Sequence, residues 1–177
     1  MKRILIVAIG LAVLTTGCTG NPVSGDPTPT GGGSTSTSTS SSASGLDSVK
    51  PCDLLTEAEV TGLGLTYPGE AEQVGTADSC DWRVSGNGGL QVGIRTKSGL
   101  ADLNLVGDKV SDVKVGKYDA KKVEAQNGGK NGCTFAIGVT ESSSVVVIAN
   151  LKGTSEDTAG ACERSSKAAE LIAPKLP

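Results

Sequence analysis

Residues 133–151 run Cys133-Thr134-Phe135-Ala136-Ile137-Gly138-Val139-Thr140-Glu141-Ser142-Ser143-Ser144-Val145-Val146-Val147-Ile148-Ala149-Asn150-Leu151. Cys133, Phe135, Ile137 and Val139 fall on every second position, the period of a strand with one buried face. A polar turn from Glu141 to Ser144 follows. Val145 to Leu151 is then apolar almost throughout and reads as a central strand covered on both faces.

The same alternation recurs upstream. Cys80, Trp82 and Val84 alternate with Asp81, Arg83 and Ser85, and beyond Gly86-Asn87-Gly88-Gly89 the residues Leu90, Val92 and Ile94 alternate again, which predicts a hairpin. Trp82 shares a face with Cys80 and Val84, so it reads as core and not as a ligand anchor. Val110, Val113 and Val115, a break at Gly116, and then Val123 and Ala125 give further strand signals. Residues 98–106 fit a short helix, with Leu100, Leu103 and Val106 on one face, as well as they fit a loop.

Helices are expected at both ends of the domain. Thr56-Glu57-Ala58-Glu59 is a capping box, Leu55 and Val60 have hydrophobic-staple spacing, and Gly62 and Gly64 end the helix early. At the C-terminal end, Thr154 to Asp157 supplies a helix start. Cys162, Ser165, Ala169 and Ile172 then form a stripe with Ala168 and Leu171 beside it, closed by Pro174 and Pro177. Strands joined by short turns favour an α+β domain over residues 48–177: an antiparallel sheet of about five or six strands, with a short N-terminal helix and a C-terminal helix packed on it.

The opening of the chain is of another kind. Met1-Lys2-Arg3 is basic, Ile4 to Leu14 is apolar, and Thr15-Thr16-Gly17 leads into Cys18. This is too short for a permanent membrane span and reads as a lipoprotein signal peptide, residues 1–17. Cys18 takes a diacylglycerol and becomes the new N-terminus. The usual lipobox has Leu three residues before the cysteine; here Thr15 stands there, with Leu14 one place earlier. Residues 18–47 then form the lipidated cysteine and a Ser/Thr/Gly/Pro tether that cannot bury enough surface to fold. Its length gives an r.m.s. reach of about 30 Å, and its Ser/Thr run suits O-glycosylation. The expected location is the extracellular face of the cell membrane.

Composition narrows the chemistry. Without its first 17 residues the chain has 14 basic against 19 acidic residues, which disfavours nucleic acid. Histidine is absent, so imidazole-dependent triads and zinc sites are excluded. Four cysteines remain once Cys18 is acylated: Cys52, Cys80, Cys133 and Cys162. In an exported chain they read as two disulfides. Three connectivities are open; Cys52–Cys80 with Cys133–Cys162 is preferred, because each closes a loop of about thirty residues and ties an end helix to a strand.

Other motifs carry little. Ser111-Asp112-Val113-Lys114, Ser85-Gly86-Asn87 and Lys97-Ser98-Gly99 match the three β-lactam-binding motifs in the wrong order, and Ser111 sits in a β-branched stretch and not at a helix start. Lys109, Lys114, Lys117, Lys121, Lys122 and Lys130 read first as a lysine-protected edge strand, and second as a contact for an anionic wall polymer or an acidic partner. Asn127 to Gly132 reads as a turn before it reads as a binding loop.

Behind the lipobox and tether come Pro51-Cys52-Asp53-Leu54-Leu55-Thr56 with Glu59-Val60, then Cys80-Asp81-Trp82, Gly132-Cys133, and Cys162 leading into the last helix. This set resembles the actinobacterial secreted lipoproteins grouped as a domain of unknown function, which include Lpr-type lipoproteins of mycobacteria. The resemblance covers most of residues 48–173. It implies a cell-surface lipoprotein without established catalysis and transfers no catalytic residue. The expectation is therefore a monomeric, non-enzymatic domain, without metal or cofactor, that binds an envelope protein or a small ligand. The alternatives are a small-molecule or lipid carrier with a cavity between sheet and helices and, third, an enzyme.

Overall fold

The alternating runs pair into one seven-stranded antiparallel sheet in a computed structural model that describes residues 45–177. The strands are β1 (Glu70–Val74), β2 (Ala77–Arg83), β3 (Gly89–Arg95), β4 (Lys109–Val115), β5 (Tyr118–Glu124), β6 (Gly132–Thr140) and β7 (Ser143–Asn150). Their order across the sheet is β1-β2-β3-β7-β6-β5-β4. Two meanders, β1 to β3 and β4 to β7, thus meet where β3 pairs with β7. The expected signal peptide, Cys18 and the tether as far as residue 44 lie outside the described residues.

The strand count corrects the expected five or six. The additional strand is β1, Glu70-Ala71-Glu72-Gln73-Val74, and all five of its residues are exposed. A strand with no buried face carries no apolar alternation, so periodicity does not reveal it. The packed chain also begins earlier than residue 48: Leu46, placed at the end of the tether by its surroundings, is only 1 % exposed and belongs to the core.

One face of the sheet carries the core. Cys80 and Trp82 of β2, Leu90, Val92 and Ile94 of β3, Phe135 and Ile137 of β6, and Val145, Val147 and Ala149 of β7 all point to it and are buried. Helix α2 (Thr158–Ile172) lies on this face through Ala161, Cys162, Ser165, Ala168, Ala169 and Ile172. Asp157 caps it, accepting a 2.8 Å hydrogen bond from the Gly160 amide. The disulfide Cys133–Cys162 joins α2 to β6, and Cys52–Cys80 joins the 3-10 turn Pro51–Asp53 to β2. Among the described residues no helix is long and apolar enough to cross a membrane.

Helix α1 (Glu57–Gly62) has its capping box formed at Thr56 and Glu59. The Glu59 carboxylate also accepts from Lys175 Nζ at 2.6 Å, and that ammonium donates to the Leu54 carbonyl at 2.7 Å, so one glutamate ties the start of the domain to its end. The hydrogen bond from Lys175, followed by that from the Thr56 amide, holds the Glu59 carboxyl below its ordinary value of 4.5. A depressed folded pKa contributes stability that is present above the unfolded value and is lost as pH falls through the folded one. Glu59→Ala is expected to cost about 1 kcal/mol at pH 7 and to flatten the stability loss below pH 4.5. Urea titrations of both proteins between pH 3 and 7, the range where a carboxylate of this kind titrates, read both effects.

The opposite face is covered only in part. The crossover from β3 to β4, residues 96–108, runs over the start of β7 and then over β6 and β5: Ser144 Oγ donates to the Ser98 carbonyl at 2.7 Å, and Leu100 lies so close that a Cβ on Gly138 would stand 2.9 Å from it. Of the ambiguous stretch 98–106, Leu100–Asp102 is a single 3-10 turn and the rest is irregular. The expectation that β7 is covered on both faces is corrected accordingly: Val146 and Ile148 are only half-buried.

Candidate functional site

The uncovered part of the sheet holds a cleft of ≈ 460 Å³. Its floor is sheet: Asp81 and Arg83 from β2, Gln91 from β3, Ile148 and Asn150 from β7, and Gly132 from β6. Its wall is the connection from β5 to β6, which contributes Gln126, Asn127, Gly129 and Asn131. The hairpin turn before β3 closes the end. There Gly88 has φ of +69°, and a Cβ on it would lie 2.0 Å from the Asn150 carbonyl oxygen, so only glycine lets the turn seat against β7.

The wall is held under backbone strain. Ala125 (φ 50°) and Asn127 (φ 53°) both occupy the left-handed region, which costs a non-glycine residue about 1–2 kcal/mol. Asn127 tolerates it better than Ala125, because short polar side chains visit this region more readily. Specific bonds maintain the geometry. The Thr134 hydroxyl donates to Gln126 Oε1, Asn131 Nδ2 donates to the Leu151 carbonyl at 3.0 Å, and the Asn127 amide nitrogen donates to the Val106 carbonyl at 3.0 Å. Strain of this kind persists only where surrounding contacts over-determine it, and it concentrates at working sites.

Five side-chain amides line the cleft: Gln91, Gln126, Asn127, Asn131 and Asn150. Those of Asn127 and Asn150 have no protein partner among the described residues, so donors and acceptors stay available. The charges are internally balanced. Arg83 Nη2 bonds Asp81 Oδ2 at 2.9 Å, and Gln91 donates to Glu72 at 2.6 Å beside them. Burial pushes the Asp81 carboxyl above its ordinary value of 3.8; Arg83 opposes that rise, and Glu72 and Glu70 add to it. A ligand here meets amides, one half-buried carboxylate, one guanidinium and an isoleucine floor. Among the described residues no group of three or more cysteines or carboxylates is placed to hold a metal ion.

The candidates drawn from the sequence fall elsewhere. Cys18, the lipidation site, lies outside the described residues. Cys52, Cys80, Cys133 and Cys162 are all consumed in the two disulfides, paired in the preferred way. Trp82 is fully buried on the core face. Ser111 lies in edge strand β4, across the sheet from the turn that holds Ser85-Gly86-Asn87, so the three β-lactam-type motifs do not converge. Four of the lysines of 109–124 are paired within the sheet, Lys109 and Lys122 with Glu124, Lys114 with Asp119 and Lys121 with Asp112, while Lys117 in the turn lies over the Tyr118 ring, 5.0 Å from its centroid. The loop 127–132, read first as a turn, is the part that reaches a cleft. Asp81, Arg83, Gln91 and Asn150 gave no signal as a group, because each is only the polar half of a strand alternation.

Comparison with known proteins adds a family and nothing closer. Neither the curated proteins nor the solved structures contain a significant match to the chain. The family described as protein of unknown function (DUF3558) matches residues 13–175, nearly the whole length, and the chain belongs to that family.

Proposed function

We propose that this is a lipoprotein of the cell envelope, anchored through Cys18, whose domain binds a small neutral ligand in the open-face cleft and carries out no catalysis on it. The observation that carries the reading is the convergence of five side-chain amides around an Ile148 floor, with the single Asp81–Arg83 pair already neutralised. Such a lining favours hydroxyl or amide groups of a neutral molecule, carbohydrate or peptide, over a strongly charged one. The basic-then-apolar opening ending at Cys18 supports export and anchoring, and two disulfides suit an oxidising compartment. The carrier alternative placed its cavity between sheet and helices, but that layer is filled by Trp82, Phe135, Ile137, Val147 and Ile172.

Asp81 offers a direct test. Its folded pKa is raised, so the penalty for holding it ionised is present above that pKa and is relieved as pH falls through it. Asp81→Asn is expected to leave the melting temperature at pH 7 unchanged or higher, while weakening ligand binding. The measurement is amide NMR of the parent and variant titrated with neutral oligosaccharides and short peptides. Shifts confined to Gln91, Asn127, Asn131 and Asn150 in the parent, reduced in the variant, support the proposal. A panel that moves none of these amides overturns it.

A further inference from the structure

Strand β4 ends the sheet on one side. The two-residue turn Gly116-Lys117, with Gly116 at φ of +57°, sets the hydrogen-bond phase of the β4–β5 ladder. In such a hairpin the residues flanking the turn, Val115 and Tyr118, exchange both backbone bonds, and the pattern alternates from there. Val115, Val113, Ser111 and Lys109 therefore direct their backbone groups to β5. Val110, Asp112 and Lys114 direct theirs away from the sheet, with no strand beyond them among the described residues.

The side chains of these outward positions share the open face. Asp112 lies beside Lys121, with which it is ion-paired, and Lys114 lies beside Asp119 at 2.7 Å. An antiparallel copy of β4 centred on Val113 brings Asp112 opposite the Lys114 of a second copy, and Lys114 opposite its Asp112. Both residues of each pair are outward-bonding, so the backbone ladder continues in phase. Charges then alternate across both rows. Lys121 and Asp112 of one copy meet Lys114 and Asp119 of the other, and the reciprocal row follows by symmetry. Centring on Asp112 would set carboxylate against carboxylate. Val113 faces itself on the two-fold axis, and Val110, 44 % exposed in the single chain, comes opposite Gly116.

We infer that β4 is a self-association edge: two copies of the chain pair antiparallel through Ser111–Val115, centred on Val113, into a continuous fourteen-stranded sheet. This replaces the monomer expected from the sequence. The other edge suits the role less well. Strand β1 has its Glu70 and Glu72 engaged with Arg83 and Gln91, and residues 47–53 line the groove beside it. A two-fold β4 contact also closes on itself, whereas β4 against β1 would propagate a filament. One strand pair buries less than the roughly 1,000 Å² of a stable interface, so the association is transient and best trapped covalently.

The test uses single cysteines in the full-length chain under mild oxidation, with the parent as control. Facing residues at a non-hydrogen-bonded pair lie about 4.5 Å apart at Cα, within disulfide range. Val113→Cys should give a covalent dimer. Ser111→Cys, on the same face but about 13 Å from its symmetry mate, should not. In the Val113→Cys background, Asp112→Lys and Lys114→Asp should each lose the dimer alone, because each sets like charges opposite. Mixed together they should regain it as the heterodimer, which also shows that both are folded. Equal cross-linking at 111 and 113, no dimer with Val113→Cys, insensitivity to the charge changes, or a ladder of higher species on sedimentation would overturn the assignment.

Discussion

Trp82→Ala should cost about 3–5 kcal/mol, the range for removing a fully buried large aromatic. Against a total of roughly 5–15 kcal/mol for a domain of this size, that removes between about a fifth and all of it. Trp82 is the largest fully buried side chain in the molecule. Its ring fills the space between β2 and Gly69, where a Cβ would stand only 2.6 Å from both the indole nitrogen and Cys80 Sγ. The tryptophan is therefore packed beside the Cys52–Cys80 disulfide, and the site cannot collapse freely when the ring is removed. Trp82→Phe should be much milder than its lost volume implies. The indole Nε1 is buried without a hydrogen-bond partner among the described residues, and phenylalanine removes that desolvated donor along with some packing. Urea unfolding must be followed by circular dichroism, because Trp82 is the sole tryptophan of the chain. Equal losses for alanine and phenylalanine would show that the indole N–H is satisfied in solution and that the packing account is wrong.

What the sequence discloses about this fold follows from which residues face the core. Cys80 to Ile94 and Cys133 to Val139 alternate because the core side of each strand takes large apolar residues while the other side takes polar or small ones, and those strands are legible from periodicity alone. The pattern fails in two places for physical reasons. Strand β1 has no dry face at all, being exposed along its length, so nothing in its composition marks it. Strand β7 reads as apolar on both faces because Val146 and Ile148 are apolar, yet the crossover covers β7 only at Ser144 and leaves both half-buried. An apolar side chain shows what a position tolerates, not whether the chain later passes over it.

The cleft was hidden for the same reason. Its lining comes from β2, β3, β6, β7 and the connection before β6, and only strand register brings these together. Asp81 stands beside Gln91, and Gln91 beside Ile148, through the β2–β3 and β3–β7 pairings. The first neighbour belongs to a local hairpin, but the second could not be assigned without knowing that β3 pairs with β7 across some fifty residues of intervening chain. The one local signal was the run of asparagine and glycine at 127–132, which turn chemistry explains equally well. The left-handed Ala125 that distinguishes this wall from an ordinary turn has no signature in sequence, since alanine ordinarily avoids that conformation.

Removing the Cys133–Cys162 link by a double alanine substitution should cost about 3–4 kcal/mol in the chain-entropy account of a loop this long, and the damage should be local before it is global. The buried stripe of α2 is Ala161, Cys162, Ser165, Ala168, Ala169 and Ile172. Small side chains let the helix lie close to the sheet but give it little apolar area to bury, so the covalent link carries an unusual share of the docking. The C-terminal half has other ties: Ile172 is fully buried, and Lys175 holds Leu54 and Glu59. The N-terminal half relies on Thr158 donating to the Lys130 carbonyl at 2.6 Å and on Arg164 reaching the carbonyls of Asn87 and Asn150 at 3.4 and 3.2 Å. Those three acceptors lie in the segments that rim the cleft, so fraying of the helix start should loosen the rim as well. Native-state hydrogen exchange is the measurement. Protection should fall first over residues 158–166, next in the segments around Asn87 and Lys130, and last in β6 and β7. If the whole of α2 loses protection as one unit, or if removing Cys52–Cys80 frays the same residues, the disulfide is not what docks the start of this helix.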